Sequence, residues 1–343
     1  MLGRLALTMT LAATLAACGD SNGGARTQIT AVGSSTVYPF TTRVAEAFRN
    51  QDSNRDAPVI ESTGTGGGMA RFCDGVGSEY PDIVDASRRI KKSEYQKCEA
   101  NGALPILEIQ IGMDGVALAE SLQGPSFELT KKDIYLALAA HPRGKDTNSA
   151  QTWRDVNPAL PAIPIQVYGP PSTSGTRDAF AELIMEPGCT EAFPEVEEKS
   201  SDDKKMVCMQ LRSDGPYIDA GENDNLIVQK LTANPNAVGI FGYSYLEENH
   251  DRLRGIPIEG VSPTYETIAG GSYPGARPLF IYVKAKHLNA VPGLKEFLRL
   301  YSTMWGPDGD LVKRGLIAAP QDVRDHSVEI IQQQIPLDPS TLD

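Results

Sequence analysis

Three short loops rich in glycine, serine and threonine carry the residues best suited to chemistry. They span residues 33–36, 64–68 and 172–176, and each is predicted to follow a strand and open a helix. A helix N-terminus offers unpaired backbone N–H groups and a partial positive charge. Hydroxyl groups add donors, and glycine lets the backbone approach a ligand closely. Three such loops converging on one point would surround a tetrahedral oxyanion with neutral donors, although each loop alone could equally be an ordinary helix cap.

Sharper phosphate and nucleophile motifs do not fit these loops. Gly64-Thr65-Gly66 has no third glycine at the spacing of a dinucleotide fingerprint, and no lysine follows Gly175 as a P-loop requires. The sequence contains no G-x-S-x-G elbow, and no histidine lies near a serine-rich loop. The pattern therefore favours binding over turnover and predicts that the protein is not an enzyme.

The overall charge limits the possible ligands. The 343 residues carry a formal net charge of -12, with 41% hydrophobic and 22% charged residues. Such a field repels nucleic acid and other anions at long range, so we expect no nucleic-acid partner. A bound anion must instead be held by local donors. The length is enough for two globular domains.

Apolar patterning predicts alternating strands and helices, which is typical of the α/β class. Because no clean linker separates the two halves, we expect the chain to cross between two domains more than once, with the ligand in the cleft between them. A charged run at 195–205 is predicted to be a solvated face or a loop. The predicted strands are 29–32, 57–61, 82–86, 104–111, 116–119, 163–168, 238–241 and 279–283. The predicted helices are 36–48, 67–73, 91–98, 130–139 (capped by Thr130), 175–185, 225–232, 291–304 and 321–334.

The N-terminal segment is typical of an export signal. Arg4 precedes a short apolar stretch at 5–17, which ends in Leu15-Ala16-Ala17-Cys18. This ending resembles the bacterial lipobox, which predicts a lipoprotein signal peptide at 1–18, with cleavage before Cys18, lipidation of Cys18 and an extracytoplasmic protein anchored to a membrane. The alternative is an unmodified cysteine in an ordinary signal sequence. Residues 19–27 are predicted to be a flexible tether.

The remaining four cysteines fit the same oxidising compartment. They allow three pairings, of which Cys73–Cys98 with Cys189–Cys208 is the local choice and keeps each disulfide within one expected domain. A zinc site is the alternative, but no C-x-x-C spacing occurs and the four histidines are scattered. We expect no metal and no cofactor.

An ordered set of segments resembles the phosphate-binding proteins of phosphate ABC importers. The segments span residues 31–40, 64–68, 82–89, 168–176, 239–243 and 273–279, and the resemblance runs from about residue 28 to 335. It implies a two-domain type II periplasmic binding protein fold with a hinged cleft. Domain I would comprise residues 28–112 and 277–343, and domain II residues 113–276. It also implies a monomer that captures inorganic phosphate and delivers it to the membrane subunits of the importer.

The resemblance also implies a set of phosphate ligands. Thr36 and Thr65 would donate hydroxyl groups, and Arg88 stands where the family pattern has an aspartate. The upstream arginine and aspartate of the third loop are replaced by Pro170 and Ser172. The complete expected set is Ser35, Thr36, Val37, Thr65, Ser87, Arg88, Asp114, Ser174, Gly175 and Thr176.

Two charged positions remain open. Arg88 could supply the missing third-loop charge, because a guanidinium fork suits phosphate oxygens, or it could form a structural salt bridge. Arg177 is a second candidate cation. A carboxylate that accepts the proton of phosphate would exclude sulfate. We prefer Asp114 over Asp85 for that role, although Asp114 could be a turn residue before Gly115.

Three other functions remain as alternatives. The first is a receptor for another oxyanion, such as sulfate, molybdate or a phosphonate. The second is a secreted phosphoester hydrolase, and the third is a surface protein that keeps the fold without a ligand.

Overall fold

One long strand joins two groups of strands into a continuous hydrogen-bonded path. The computed structural model describes residues 26–52, 54–144, 146–172, 174–221 and 224–342. The predicted signal segment and Cys18 lie outside the described residues. The nine strands are β1 Thr30–Gly33, β2 Val59–Ser62, β3 Ile83–Ala86, β4 Ile106–Ser121, β5 Val167–Gly169, β6 Tyr217–Asp219, β7 Val238–Gly242, β8 Leu253–Gly255 and β9 Ala276–Lys284.

Fourteen α-helices within the described ranges surround this path. They are α1 Tyr38–Gln51, α2 Thr65–Phe72, α3 Lys92–Ala100, α4 Lys131–Leu138, α5 Trp153–Val156, α6 Gly175–Phe180, α7 Glu186–Ala192, α8 Ser201–Met209, α9 Asp224–Ala233, α10 Tyr243–Glu248, α11 Tyr265–Ala269, α12 His287–Ala290, α13 Leu294–Met304 and α14 Gln321–Gln333. A π-helical turn, Ala181–Met185, joins α6 to α7. Short 3₁₀ helices occur at Pro142–Gly144, Pro194–Glu198, Val312–Arg314 and Pro339–Thr341. No helix in the described part of the chain has the length and apolar character needed to cross a bilayer.

The strand order is β2-β1-β3-β9-β4-β7-β5-β6, with β8 paired to β4. β1 pairs in parallel with β2 and β3, and β5 pairs in parallel with β6 and β7. Antiparallel β9 and β4 lie between these two parallel groups. The carboxyl ends of parallel strands meet at one edge, where α/β folds bind small ligands. The α/β class predicted from the sequence is confirmed.

Apolar side chains cover both faces of the first strand group. On α13, Leu294, Phe297, Leu298 and Tyr301 recur at helical spacing, and all four are buried. They pack with α1 residues such as Phe48 on one face of the sheet. The opposite face is covered by a second cluster that includes residues of α2 and α3, and the second strand group has its own larger core. The sheet edges that carry the loops are therefore held by rigid packing.

Two predicted local features are confirmed. Thr130 caps α4, because its hydroxyl accepts from the Asp133 N–H at 3.0 Å while the Asp133 carboxylate accepts from the Thr130 N–H at 3.0 Å. Disulfides join Cys73 to Cys98 and Cys189 to Cys208. The first connects the end of α2 to α3, and the second connects α7 to α8.

Two sequence-based predictions of secondary structure change in detail. The charged run at 195–205 is a largely exposed face, one of the two predicted forms, and not a loop: it contains the 3₁₀ helix Pro194–Glu198 and the first half of α8. Ser200 caps α8 by accepting from the Asp203 N–H at 3.2 Å. The predicted strands 104–111 and 116–119 are one strand, β4, with a register shift between Gln110 and Gly112 in its pairing with β9.

The last two residues of the predicted tether contact the folded body. The Arg26 guanidinium donates to the buried carboxylate of Asp82 at 2.5 Å. The Thr27 hydroxyl donates to Asp56 at 2.6 Å. Residues 26 and 27 are therefore held against the folded body.

Candidate functional site

The first loop leaves β1 at a position that only glycine can occupy. Gly33 has a φ of +139°, and a Cβ added there would lie 2.1 Å from the backbone oxygen of Asp85. The Ser34 N–H donates to that same oxygen at 2.9 Å. The Ser34 hydroxyl accepts from the N–H groups of Thr36 and Val37 at 3.2 and 3.4 Å. The loop is thus fixed against β3, and Thr36 presents its hydroxyl group on the far side of the turn.

The second loop brings two predicted ligands together. Thr65 is the first residue of α2, and its Oγ1 lies 3.0 Å from the Ser87 Oγ. The Ser87 N–H also donates to Thr65 Oγ1, at 3.1 Å. α2 can lie close to β1 because Gly68 has no side chain: a Cβ there would lie 2.6 Å from Gly33 Cα. The second loop and the end of β3 therefore form one cluster of hydroxyl groups.

The third loop lies directly against the first. Ser174 caps α6 by accepting from the Thr176 N–H at 3.3 Å. A Cβ on Gly175 would lie 3.1 Å from Thr36 Cα, and the Thr36 hydroxyl donates to the Gly175 carbonyl oxygen at 3.4 Å. The Ser35 hydroxyl donates to the Asp178 carboxylate at 3.1 Å. The N-termini of α1 and α6, two of the three predicted loops, therefore meet at Thr36.

A buried arginine that sequence reasoning missed stands at this meeting point. Arg277 lies near the start of β9 and is only 5% exposed. One terminal nitrogen, Nη2, donates to Thr36 Oγ1 at 2.8 Å. Arginine is rarely buried unless it is paired. Here Nε donates to Asp114 at 3.2 Å and Nη1 donates to Glu182 at 2.7 Å. In the sequence, Arg277 is distinguished only by lying within the segment 273–279 that resembles the family, and no motif identifies it as a ligand.

Asp114 lies opposite Arg277 in the β4–β9 register. Asp114 belongs to the continuous strand β4, so it is not a turn residue before Gly115. Its side chain is 18% exposed. The carboxylate therefore lies at the crossing between the two strand groups, beside the guanidinium that contacts Thr36.

The two cations considered from the sequence have other partners. The terminal nitrogens of Arg88 donate to both oxygens of Glu94, at 2.7 and 2.9 Å. The Arg177 guanidinium stacks on the ring of Tyr217 at 4.3 Å and donates to the Pro170 carbonyl oxygen at 3.2 Å. The Arg88 arrangement matches the salt-bridge alternative. Arg88 nevertheless lines the same cavity as Thr65 and Ser87, and its role as a ligand stays a prediction.

Asp85 lies beneath the first loop and is completely buried. One carboxyl oxygen accepts from the Thr41 hydroxyl at 2.8 Å. The other, Oδ2, has no hydrogen-bond partner among the described residues. Burial raises the pKa of Asp85 to about 7, and the Thr41 bond opposes this only in part. This carboxyl group supports the loop from behind, whereas Asp114 faces the buried arginine.

A lateral cavity of about 710 Å³ adjoins the hydroxyl cluster. Thr65, Ser87 and Arg277 form the side that it shares with the loops. Within the described part of the chain, no group of three or more histidine, cysteine, aspartate or glutamate residues could hold a metal ion. The groups that meet at Thr36 are its own hydroxyl, one guanidinium and the N-termini of α1 and α6, a set suited to an oxyanion.

Comparisons with known proteins agree with this arrangement. Residues 20–302 match the family model described as a PBP superfamily domain. A structure titled as a possible phosphate binding protein from Planctomyces limnophilus superposes with a TM-score of 0.73 at 28% identity, covering 90% of this chain and 98% of that one. The fold is therefore that of a type II periplasmic binding protein, the class expected from the sequence.

Curated relatives narrow the class to a family. The phosphate-binding protein PstS of Staphylococcus saprophyticus is 32% identical over 321 residues, covering 90% of this chain and 86% of the relative. Protein SphX of Synechococcus elongatus is 33% identical over 285 residues, covering 80% and 73%. The chain belongs to the phosphate-binding protein family, whose members are substrate-binding receptors.

Proposed function

We propose that this protein captures inorganic phosphate outside the cytoplasmic membrane and delivers it to an ABC importer. The observation that carries the proposal is the buried Arg277, which donates to the Thr36 hydroxyl where the N-termini of α1 and α6 meet. A guanidinium at 5% exposure beside two helix N-termini matches the charge and shape of a tetrahedral dianion. Membership in the phosphate-binding protein family supports the same ligand.

The proposed ligand set combines the predicted loops with Arg277. Thr36, Thr65, Ser87 and residues 174–176 would supply hydrogen bonds, and Arg277 would supply charge. Asp114 would accept the proton that phosphate carries near neutral pH, so that sulfate, which lacks this proton, is repelled. Glu182 adds a second carboxylate beside Arg277 and strengthens the same discrimination.

Closure of the cleft would bury the ligand between two domains, residues 28–112 with 277–343 and residues 113–276. The contacts of Ser35 with Asp178 and of Thr36 with Gly175 join these two segments. Phosphate would then be released only when the segments separate on the importer. We further propose that the protein is a monomeric receptor without catalytic activity, anchored through a lipid on Cys18.

Calorimetric titration tests the ligand and the role of Arg277 together. The soluble fragment from Gly19 onward is unfolded and refolded to remove bound anion, then titrated with phosphate in the presence of excess sulfate. We expect one-to-one binding. Arg277→Met should weaken it about 100-fold, because a charged hydrogen-bonding partner is lost and two carboxylates are left unpaired. Arg277→Lys should bind with intermediate affinity because it keeps the charge without the fork.

Arg299→Met provides the matched control. Arg299 is exposed on α13, outside the proposed site. Its affinity should equal that of the unmodified protein. Affinity of Arg277→Met within threefold of the control would overturn the assignment of Arg277. Binding of sulfate, molybdate or a phosphonate in place of phosphate would keep the mechanism and change the ligand.

A further inference from the structure

One half-exposed carboxylate is bonded to the buried arginine of the proposed phosphate site. Glu182 accepts from Arg277 Nη1 at 2.7 Å, while Nε donates to Asp114 and Nη2 donates to Thr36. A planar guanidinium binds an oxyanion most strongly when two of its nitrogens donate to two oxygens. Since Asp114 holds Nε, the pair that remains for phosphate is Nη1 with Nη2, next to the Thr36 hydroxyl. Glu182 therefore occupies one half of the fork that the ligand needs.

Glu182 belongs to a helical face that contacts the first loop. Gly175, Asp178 and Glu182 recur at spacings of three and four, on one side of α6 and the π-helical turn that follows it. The first two contact the loop that carries Thr36. Turns of π-helix are rare and often occur at functional sites. The turn therefore brings Glu182 to Arg277 on the same face that meets the first loop.

The two carboxylates beside Arg277 differ in how easily they can leave it. Asp114 is 18% exposed and lies opposite Arg277 on the paired strand, so its position is fixed by the β4–β9 register. The Glu182 side chain is 49% exposed and lines the lateral cavity of about 710 Å³. Its charge also raises the pKa of Arg88, in addition to the larger effect of the Glu94 bond. Water and Arg88 can therefore stabilise the Glu182 carboxylate once it has left Arg277.

We infer that Glu182 is a displaceable counter-ion of the proposed phosphate site. In the anion-free protein it neutralises Arg277, and an oxygen of the entering phosphate then takes its place on Nη1. The inference rests on the proposed function and adds a residue that limits its affinity. A buried guanidinium is destabilising without a partner, so the anion-free form needs this contact. Removal of the Glu182 charge should then destabilise only the free form and thereby tighten phosphate binding.

Titration of two Glu182 variants with phosphate tests the inference. Glu182→Gln should tighten binding about tenfold, which is about 1.4 kcal/mol, because the neutral amide competes only weakly for Arg277. Glu182→Asp keeps the charge on a side chain that is one methylene group shorter, so it should also tighten binding, by at least about threefold. If Glu182→Asp binds phosphate as the unmodified protein does, only the charge matters and the inference is overturned.

Glu186→Gln is the matched control. Glu186 lines the same cavity and pairs with Lys204 at 3.2 Å, and within the described part of the chain no ion pair joins it to Arg277. Its replacement should change phosphate affinity by less than about twofold. If Glu186→Gln tightens binding as much as Glu182→Gln does, the effect arises from long-range charge and the inference is wrong.

Thermal unfolding provides a second readout. In buffer free of oxyanions, Glu182→Gln should unfold at a lower temperature than the unmodified protein, and saturating phosphate should abolish the difference. A difference that persists with saturating phosphate means that Glu182 stays bonded to Arg277 in the complex, which contradicts displacement. If the unmodified protein binds phosphate and Glu182→Gln binds it no more tightly, the inference fails while the proposed function stands. If the unmodified protein binds no phosphate, the proposed function fails and the inference fails with it.

Discussion

Asp85 illustrates how a single buried group can set the pH dependence of this fold. Its carboxyl group is fully buried beneath the first loop, with one oxygen unpaired among the described residues. Burial raises its pKa from 3.8 to about 7. Below pH 4 both the folded and unfolded states keep the proton. Between pH 4 and 7 only the unfolded chain ionises, so the free energy of unfolding falls as the pH rises and becomes level above about 7.

Asp85→Asn should therefore stabilise the protein most at alkaline pH. The amide keeps an acceptor for the Thr41 hydroxyl and cannot ionise. Relative to the unmodified protein, its free energy of unfolding should increase by roughly 2–4 kcal/mol more at pH 8 than at pH 4. Urea unfolding in phosphate-free buffer measures this difference. Asp308→Asn, at an exposed position, is the control. Equal effects of Asp85→Asn at both pH values would contradict the assignment.

At the residue level, the meeting of two loops was easier to predict than the contacts of the charged side chains. Thr36 and Gly175 lie together where the first and third loops meet, whereas Thr65 contacts Ser87. Arg277 was missed since it lies on a strand, and its contact with Thr36 depends on the pairing of β9 with β4. Pairing between segments so distant in sequence leaves no local signal. The same limitation made Arg88 a more attractive candidate than its bonds to Glu94 support.

At the element level, the last residue of β9 is a buried lysine whose charge destabilises the folded state. Lys284 is completely buried, and its ammonium group has no hydrogen-bond partner among the described residues. It lies 4.8 Å from the ring centroid of Phe72 and 5.4 Å from that of Tyr80. Burial lowers its pKa to about 8, although the charge of Asp82 opposes the shift. The charged form therefore destabilises the native state at neutral pH.

The effect of Lys284→Met on the free energy of unfolding should depend on pH. Between pH 8 and 10.5 the native lysine loses its proton before the unfolded one does, so the stability of the unmodified protein rises over this window. Lys284→Met should increase the free energy of unfolding by about 1–2 kcal/mol at pH 7, after loss of the aromatic contacts, and this gain should vanish by pH 10. Urea titrations at both pH values provide the measurement, with exposed Lys286→Met as control. A gain that persists unchanged at pH 10 would refute the explanation.

Most helices and strands could be predicted from the sequence, but where one strand continues into the next could not. The helix at 321–334 and the cap at Thr130 followed from periodicity and local chemistry, which tertiary contacts reinforce. β4 was divided in two because Gly112 and Gly115 interrupt its apolar pattern. These glycines are required by packing: a Cβ on Gly112 would lie 2.6 Å from Leu316. The charged segment at 195–205 became helical because the disulfide and the buried Val207 hold α8 against the core.

At the scale of the whole molecule, the proposed closure can be tested by joining the two segments with a disulfide. The side chains of Ser35 and Asp178 meet at 3.1 Å and join the two segments that we propose to separate. In the double variant Ser35→Cys/Asp178→Cys, a disulfide should hold the two segments together and slow exchange of bound radioactive phosphate by at least about 100-fold. Reduction should restore the exchange rate.

Each single cysteine variant controls for the loss of the native side chain. Titration of free thiols confirms that the bond has formed in the double variant. If bound phosphate exchanges equally fast in the oxidised and reduced forms, these segments do not separate during release. The proposed movement of residues 113–276 against the remainder would then be wrong.

The paired strands β4 and β9 have a consequence for how affinity is set. They run through the crossing between the strand groups, and a Cβ on Gly115 would lie 2.9 Å from Ile268. The measured affinity of a closing receptor is the intrinsic affinity of its closed form multiplied by the fraction of molecules that can close. The loops and Arg277 would determine the first factor, which differs between anions. The two crossing strands would determine the second, which is common to all of them. Substitutions in these strands could thus adapt the protein to scarce or abundant ligand while the ratio of its affinities for competing anions stays the same.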